Sequence, residues 1–379
     1  MGLNLASSGP AIPWRRANVR HTSNELYVDI VESLSVTLAP SGRPLAAFAN
    51  GSILFTSKIS GIPDLLLNLT ASGGRIGMEK AIELPVFHPC VRLARWKEKP
   101  GELSFVPPDG KFMLAGYEVN LMPTDLDLNS WFKVNLQLPV TIEVSKSLGP
   151  AGADFEVRLS VNPTFTGSSA GFAQSRPSAT PRGSGRSTPN IFNASTSSAD
   201  PTIQNVVATI PIPPDVRNIK DLRPSRGEAF FTAAANTVEW RIPTREAAAP
   251  GVATLRCTAV GPIDDEEDYD AASGMILNAT TDYDENEDAY QSPSLQIPKV
   301  APNKEVIDFR DRRKVQRHAS LMPSSATVSF SIKGWLASGI KVSNLTVDTK
   351  RSKGLGEGVK PYKGVKYMTI SKNGVETRC

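Results

Sequence analysis

The stretch NELYVDIVES, Asn24 to Ser33, sets Leu26, Val28 and Ile30 against Tyr27, Asp29 and Val31 in strict alternation. A side-chain period of two is that of a half-buried strand, so Tyr27 and Asp29 share one face and the aliphatic residues share the other. A carboxylate then stands mid-strand beside an aromatic ring. From these residues alone a solvated outer face is favoured over a binding face, and the choice rests on the rest of the chain.

The same signal recurs along the sequence. PLAAFANGSILFTSKIS, DLLLNLT, VFHPCVRLARW, ELSFVPP and KFMLAGYEV each read as a strand, punctuated by turn residues such as PSG at Pro40 and PPDG at Pro107. A second series follows with WFKVNLQLPVTIEVS, ADFEVRLSVNP, NVVATIPIPP, AFFTAAANTVEWRIP and GVATLRCTAV, and a last group with ATVSFSIKGWLASGIKVSNLTVD and YKGVKYMTI. The 379 residues are 40% hydrophobic and include 30 prolines and 28 glycines, which suits many short strands packed on a real core. The pattern predicts an all-β protein of the sandwich kind.

Two segments break it. Residues 164–201 are rich in Ser, Thr, Gly and Pro with scattered Arg, too polar to offset the entropy of ordering them, and predict a disordered loop. A second such loop is expected at 262–303, which opens with eleven acids between Asp264 and Asp288 and no Lys or Arg among them. Removing those eleven would raise the net charge from +4 to +15, so the remaining body is basic and suits an anionic surface.

Composition also excludes function classes. The start lacks a charged segment followed by about 7–15 apolar residues, and no later run approaches the roughly 18 that a membrane span needs. Three well-separated cysteines, Cys90, Cys257 and Cys379, suit a reducing compartment, and the chain reads as soluble and intracellular. No Walker loop, HExxH or paired CxxC occurs, so no enzyme class is indicated and no cofactor is expected. No metal is expected either: His88 and Cys90 on one strand are two ligands short of a zinc site, and the acids after Asp264 lack the central glycine of a calcium loop. The basic run with Arg310, Arg312, Arg313, Lys314 and Arg317 reads first as solvated surface and next as a contact for anionic lipid. Nucleic acid is not an expected partner, because only Phe309 is adjacent where stacking aromatics would be interleaved.

The run FHPCVRLARWKEKPGELSFVPPDGKFMLAGY, Phe87 to Tyr117, resembles the signature of the mu homology domain in the medium subunits of clathrin-adaptor complexes. NELYVDIVES, the SGIP at Ser60 and the ending YKGVKY…ETRC fall in the same order as in that family, and FHPC, RW and PYKGVKY are most similar to mu subunits of adaptor-protein complex 3. The likeness runs from Ile12 to Cys379 apart from the two loops. It implies two β-sandwich subdomains, one inserted in the other. The outer one is expected at 13–122 plus 325–379 and the inserted one at 123–324, with 1–12 as a linker remnant. It also implies that the longin-like domain usual at the start of medium subunits is absent.

The resemblance implies a binding mode too. An extended Y-x-x-Φ sorting signal would add itself to an edge strand made of Lys363, Val365, Tyr367 and Met368. Tyr27, Asp29, Gly364 and Lys366 would form its tyrosine pocket, with Asp29 accepting the phenolic hydroxyl. Leu26, Val28, Val342, Leu345 and Val365 would line the Φ pocket. Many relatives carry Trp and Arg at the positions of Gly364 and Lys366 and Lys at that of Thr56, so the tyrosine pocket here is expected to lack a stacking wall and a rigid guanidinium. The implied partners are cytosolic tails of membrane cargo, other adaptor subunits and an anionic, phosphoinositide-bearing membrane. The implied location is cytoplasmic, on Golgi and endosomal vesicles. A related module that reads a different peptide, or a basic β protein that binds lipid or nucleic acid, are the competing expectations.

Overall fold

The computed structural model describes residues 12–16, 18–71, 78, 81–122, 136, 138–166, 201–249, 251–262, 316–355 and 359–379. The two expected loops fall almost wholly outside them, as do Arg312, Arg313 and Lys314.

β1 (Glu25–Leu38) keeps its alternation for its whole length, every second side chain being buried from Leu26 to Leu38. It turns at Ala39–Arg43, where the Gly42 amide bonds the Ala39 carbonyl with φ of 77°, a backbone that glycine adopts freely. The chain returns as β2 (Pro44–Lys58), antiparallel to β1 along nearly its whole length. On the other side of β1 lies the last strand, β16 (Tyr362–Arg378), and this pairing is parallel. Parallel neighbours cannot be joined by a hairpin, so everything between Leu38 and Tyr362 forms the connection.

Among the described residues three sheets form. β1, β2 and β16 sit within a nine-stranded sheet, with β6 (Gly110–Asn120) and β4 (Glu83–Phe87) beyond β2. Beyond β16 come β14 (Ser325–Lys333), β9 (Thr202–Pro211), β12 (Thr237–Ile242) and β11 (Glu228–Thr232). A four-stranded sheet of β10 (Asn218–Pro224), β13 (Ala253–Val260), β8 (Asp154–Val161) and β7 (Val140–Leu148) covers one end of it. A three-stranded sheet of β15 (Lys341–Lys353), β3 (Ile62–Thr70) and β5 (Glu102–Phe105) covers the other. The chain is all-β, two sandwiches sharing one long sheet.

Each sandwich has its own core. Leu26, Val28 and Ile30 pack with Leu65, Leu103 and Leu345, while Leu34, Val36 and Leu38 of the same strand pack with Val157, Trp240 and Leu255. The division between the two cores therefore runs across β1 and β16. At the crossover stands Glu32, fully buried on the apolar face of β1. Its carboxylate accepts the Tyr117 phenol at 2.8 Å and the Ser338 amide at 3.0 Å, and the Ser338 hydroxyl donates to it as well. Burial and this carboxylate push the Tyr117 phenol well above its ordinary pKa, so it remains a donor. Tyr117 reaches Glu32 over Gly51, where an added Cβ would meet the ring at 2.1 Å.

Not every expected strand is a single strand. VFHPCVRLARW ends its strand at Phe87, turns through His88–Cys90 and becomes a short helix, Leu93–Glu98. Pro89 has no N–H to continue a ladder. Val91 N–H closes the turn on the His88 carbonyl, and Arg92 then locks the helix entry with two 2.7 Å bonds to Asp64.

Candidate functional site

Parallel register sets Tyr27 opposite Gly364 and Asp29 opposite Lys366, so the four residues expected at the tyrosine pocket share the outer face of the long sheet. Thr56 flanks Tyr27 from β2. The Tyr27 phenol donates to Glu25 at 3.2 Å, and Glu25 also lies 3.7 Å from the Lys58 ammonium. Loss of water and the Glu25 carboxylate raise the Tyr27 pKa, keeping its hydroxyl protonated. Asp29 and Lys366, though side by side, make no hydrogen bond or ion pair with any described residue. An unengaged carboxylate and an unengaged ammonium thus stand next to an aromatic ring.

The β16 edge lies alongside. β14 pairs with β16 only from Met368, opposite Lys333, onward, and the Gly334 amide takes the Tyr367 carbonyl at 2.9 Å. From Tyr362 to Lys366, β1 is the one strand paired with β16 among the described residues. Of the residues expected on the edge, Lys363 and Val365 are on this open stretch. Tyr367 and Met368 are not, because the β14 ladder has already taken their side.

On the inner face the residues expected around the Φ pocket come together, but at different depths. Leu26, Val28 and Leu345 are fully buried, whereas Val342 and Val365 are partly exposed at the margin of the same core. A ligand side chain would therefore meet Val342 and Val365 first, with Leu26 and Val28 beneath them. Two cross-links hold β16 to β15 here: the Val342 amide donates to the Tyr367 phenol at 2.9 Å, and the Lys363 ammonium donates to the Leu345 carbonyl. Burial lowers the Lys363 pKa. An inward-pointing cation on an exposed edge also hinders unwanted strand pairing.

Sequence reasoning missed Tyr362, which is 55% exposed and packs its ring 5.8 Å from that of Tyr27. The signal was available: Tyr362 lies two residues before Gly364, hence on the same face. Elsewhere, His88 accepts the Cys90 amide at 3.1 Å and packs on Phe112, and burial pushes the Cys90 thiol up to about 12, so the HPC run is a structural turn. No group of three or more metal-ligating side chains gathers among the described residues, and no described helix is long and apolar enough to cross a membrane.

Known proteins share this architecture. The chain is 25% identical over 360 residues to the AP-3 complex subunit mu-2 of Rattus norvegicus, covering 94% of itself and 59% of that protein. It is 36% identical over 146 residues to AP-3 complex subunit mu-1 of the same species, covering 36% and 33%. It thus spans about three-fifths of the mu-2 length. In fold it matches a chain in a homology model of the full-length AP-3 complex in an intermediate open conformation, with a TM-score of 0.51 at 19% identity over 94% of this chain and 69% of that one. Residues 12–379, the span that carries both cores and the open edge, match one family throughout: the chain belongs to the adaptor complexes medium subunit family.

Proposed function

We propose that this chain is the cargo-recognition part of an adaptor medium subunit related to AP-3, a non-enzymatic module that binds Y-x-x-Φ signals in the tails of membrane proteins. The observation that carries the reading is the stretch Tyr362–Lys366, where β1 is the one strand paired with β16 among the described residues, with unengaged Asp29 and Lys366 on one face and the apolar margin of Val342 and Val365 on the other. An extended peptide added to that edge alternates its side chains between the two faces. Tyr and Φ are three positions apart, an odd interval, so they point to opposite faces. The phenol would meet Asp29 and Lys366, and the Φ side chain would meet Val342 and Val365.

With a short edge and few groups in each pocket, the affinity expected is modest, with dissociation constants on the order of tens of micromolar, about −6 kcal/mol. Attachment to a membrane and to other adaptor subunits would supply the remaining avidity. The basic body favours an anionic, phosphoinositide-bearing surface, and the reading places the protein on the cytoplasmic side of Golgi and endosomal vesicles bound for the vacuole or lysosome. The signal-binding part comprises 13–122 plus 325–379, with 123–324 inserted. Titration calorimetry of the chain with a Y-x-x-Φ peptide, its Tyr→Ala and Φ→Ala forms and a dileucine peptide tests the reading. Saturable binding that needs both Tyr and Φ is expected. Binding of the dileucine peptide alone would assign the edge to a different signal.

A further inference from the structure

The space above Gly364 is already occupied. A Cβ added there would stand 2.7 Å from Cδ1 and 3.1 Å from Cε1 of Tyr27, and 3.7 Å from Cε1 of Tyr362. Gly364 is not among the residues with positive φ, so its backbone makes no demand for glycine. What the missing side chain permits is a placement: the Tyr27 ring, rooted on β1, lies across β16. Two contacts hold it there, the tilted Tyr362 ring with centroids 5.8 Å apart at 55° and the Glu25 carboxylate at 3.2 Å. Tyr362, Gly364 and Lys366 follow at two-residue intervals on one face. The notch at Gly364 therefore has Tyr362 at one end, Lys366 at the other, the Tyr27 ring as its floor and Asp29 beside it.

We infer that Tyr362, together with the Tyr27 ring, forms the aromatic surface on which a ligand's ring rests, and that Gly364 is the positioning residue that lets the two tyrosines meet. This deepens the proposed peptide binding and rests on it. It also replaces the expectation, drawn from the family pattern, that the pocket lacks a stacking wall: the wall is built from the preceding same-face residue instead of residue 364. Ring stacking does not need the ligand's hydroxyl, whereas a hydrogen bond to Asp29 does. The two contributions are therefore separable.

The experiment titrates two peptides, one with Tyr and one with Phe as the first signal residue, into the full chain and its Tyr362→Ser, Tyr362→Phe, Gly364→Ala and Asp29→Ser variants, with melting temperatures as a folding check. Tyr362→Ser and Gly364→Ala are expected to weaken both peptides by about 2- to 10-fold, the range for one lost aromatic contact, while Tyr362→Phe stays near wild type. Asp29→Ser should weaken the Tyr peptide alone. If wild type binds and Asp29→Ser fails, but Tyr362→Ser and Gly364→Ala match wild type, the aromatic wall is wrong and the peptide site stands. If wild type binds neither peptide, both are overturned.

Discussion

The Tyr27 ring lies across Gly364, close enough that a single methyl on Gly364 would stand 2.7 Å from the ring. Two residues from opposite ends of the chain thus share one volume, and each limits what the other can be. Gly364→Trp, which fills the space the ring occupies, should drive the Tyr27 ring off β16. Nuclear Overhauser contacts between the Tyr27 and Tyr362 rings would vanish in that variant. Its melting temperature should change little, because both rings lie on the outer face. Persistence of those contacts in the Trp variant would contradict the ring placement.

Asp29 tests the other side of the same notch. If its carboxylate accepts a signal's phenol, Asp29→Ser removes a charge-assisted bond of roughly 1.5–3 kcal/mol, on the order of a tenfold to hundredfold loss of affinity. Phosphorylating the signal tyrosine should abolish binding as well, since a group of about −2 charge cannot be desolvated beside a carboxylate. The fold should be indifferent to Asp29→Ser, because Asp29 has no partner among the described residues. Calorimetry with matched Tyr and phosphotyrosine peptides reads the first two effects, and thermal melting reads the third.

Glu32 behaves in the opposite way, as a matter of stability alone. Tyr117→Phe withdraws one of the three donors that satisfy a fully buried carboxylate, at an expected cost of about 1–3 kcal/mol. Tyr362→Phe removes the same hydroxyl from an exposed ring and should cost nothing. Urea unfolding of the two variants side by side measures the contrast, and equal midpoints would mean that Glu32 finds another donor.

A pH dependence follows from Glu156 on β8. Its two oxygens accept Nε of Arg158 at 2.7 Å and Nε of Arg256 at 2.6 Å, and these bonds hold its pKa below the ordinary carboxylate value. A depressed folded pKa contributes stability that is fully present above the unfolded value, about 4.3, and fades as pH falls through the folded one. Compared with Glu156→Gln, wild type should keep a constant advantage from pH 7 down to about 5 and lose it progressively in stronger acid. Both guanidinium groups are largely exposed, so the advantage should be small and reduced by salt. An advantage that grows in acid would reverse the assignment.

The basic body gives a prediction about lipid. Neutralising Arg312, Arg313 and Lys314 should reduce flotation with anionic vesicles in low salt, and raising the salt to about 0.1 M, where the screening length is about 10 Å, should reduce wild-type flotation likewise. Unchanged flotation after the triple substitution would move the lipid contact to another surface.

The sequence by itself determined the family and most of the strands and turns. β1 could be read from Leu26 to Leu38 because burial on one face imposes a period of two, and the hairpin at Pro40 could be read because its residues tolerate the backbone it needs. The motif from Phe87 to Tyr117 carried the resemblance. Local signals of this kind act over a few residues and survive without tertiary context. Whatever depends on which strand lies beside which was beyond them. Only the tertiary structure put β16 parallel to β1 in a register that faces Tyr27 with Gly364, and only the start of the β14 ladder closed the edge at Tyr367. The burial of Glu32 was likewise invisible, since in the sequence it is one more charge on an alternating strand. Its meaning comes from Tyr117 and Ser338, brought to it by other elements. Cross-strand register is set by the summed packing of two whole sandwiches, a sum over contacts between distant residues that no local period encodes.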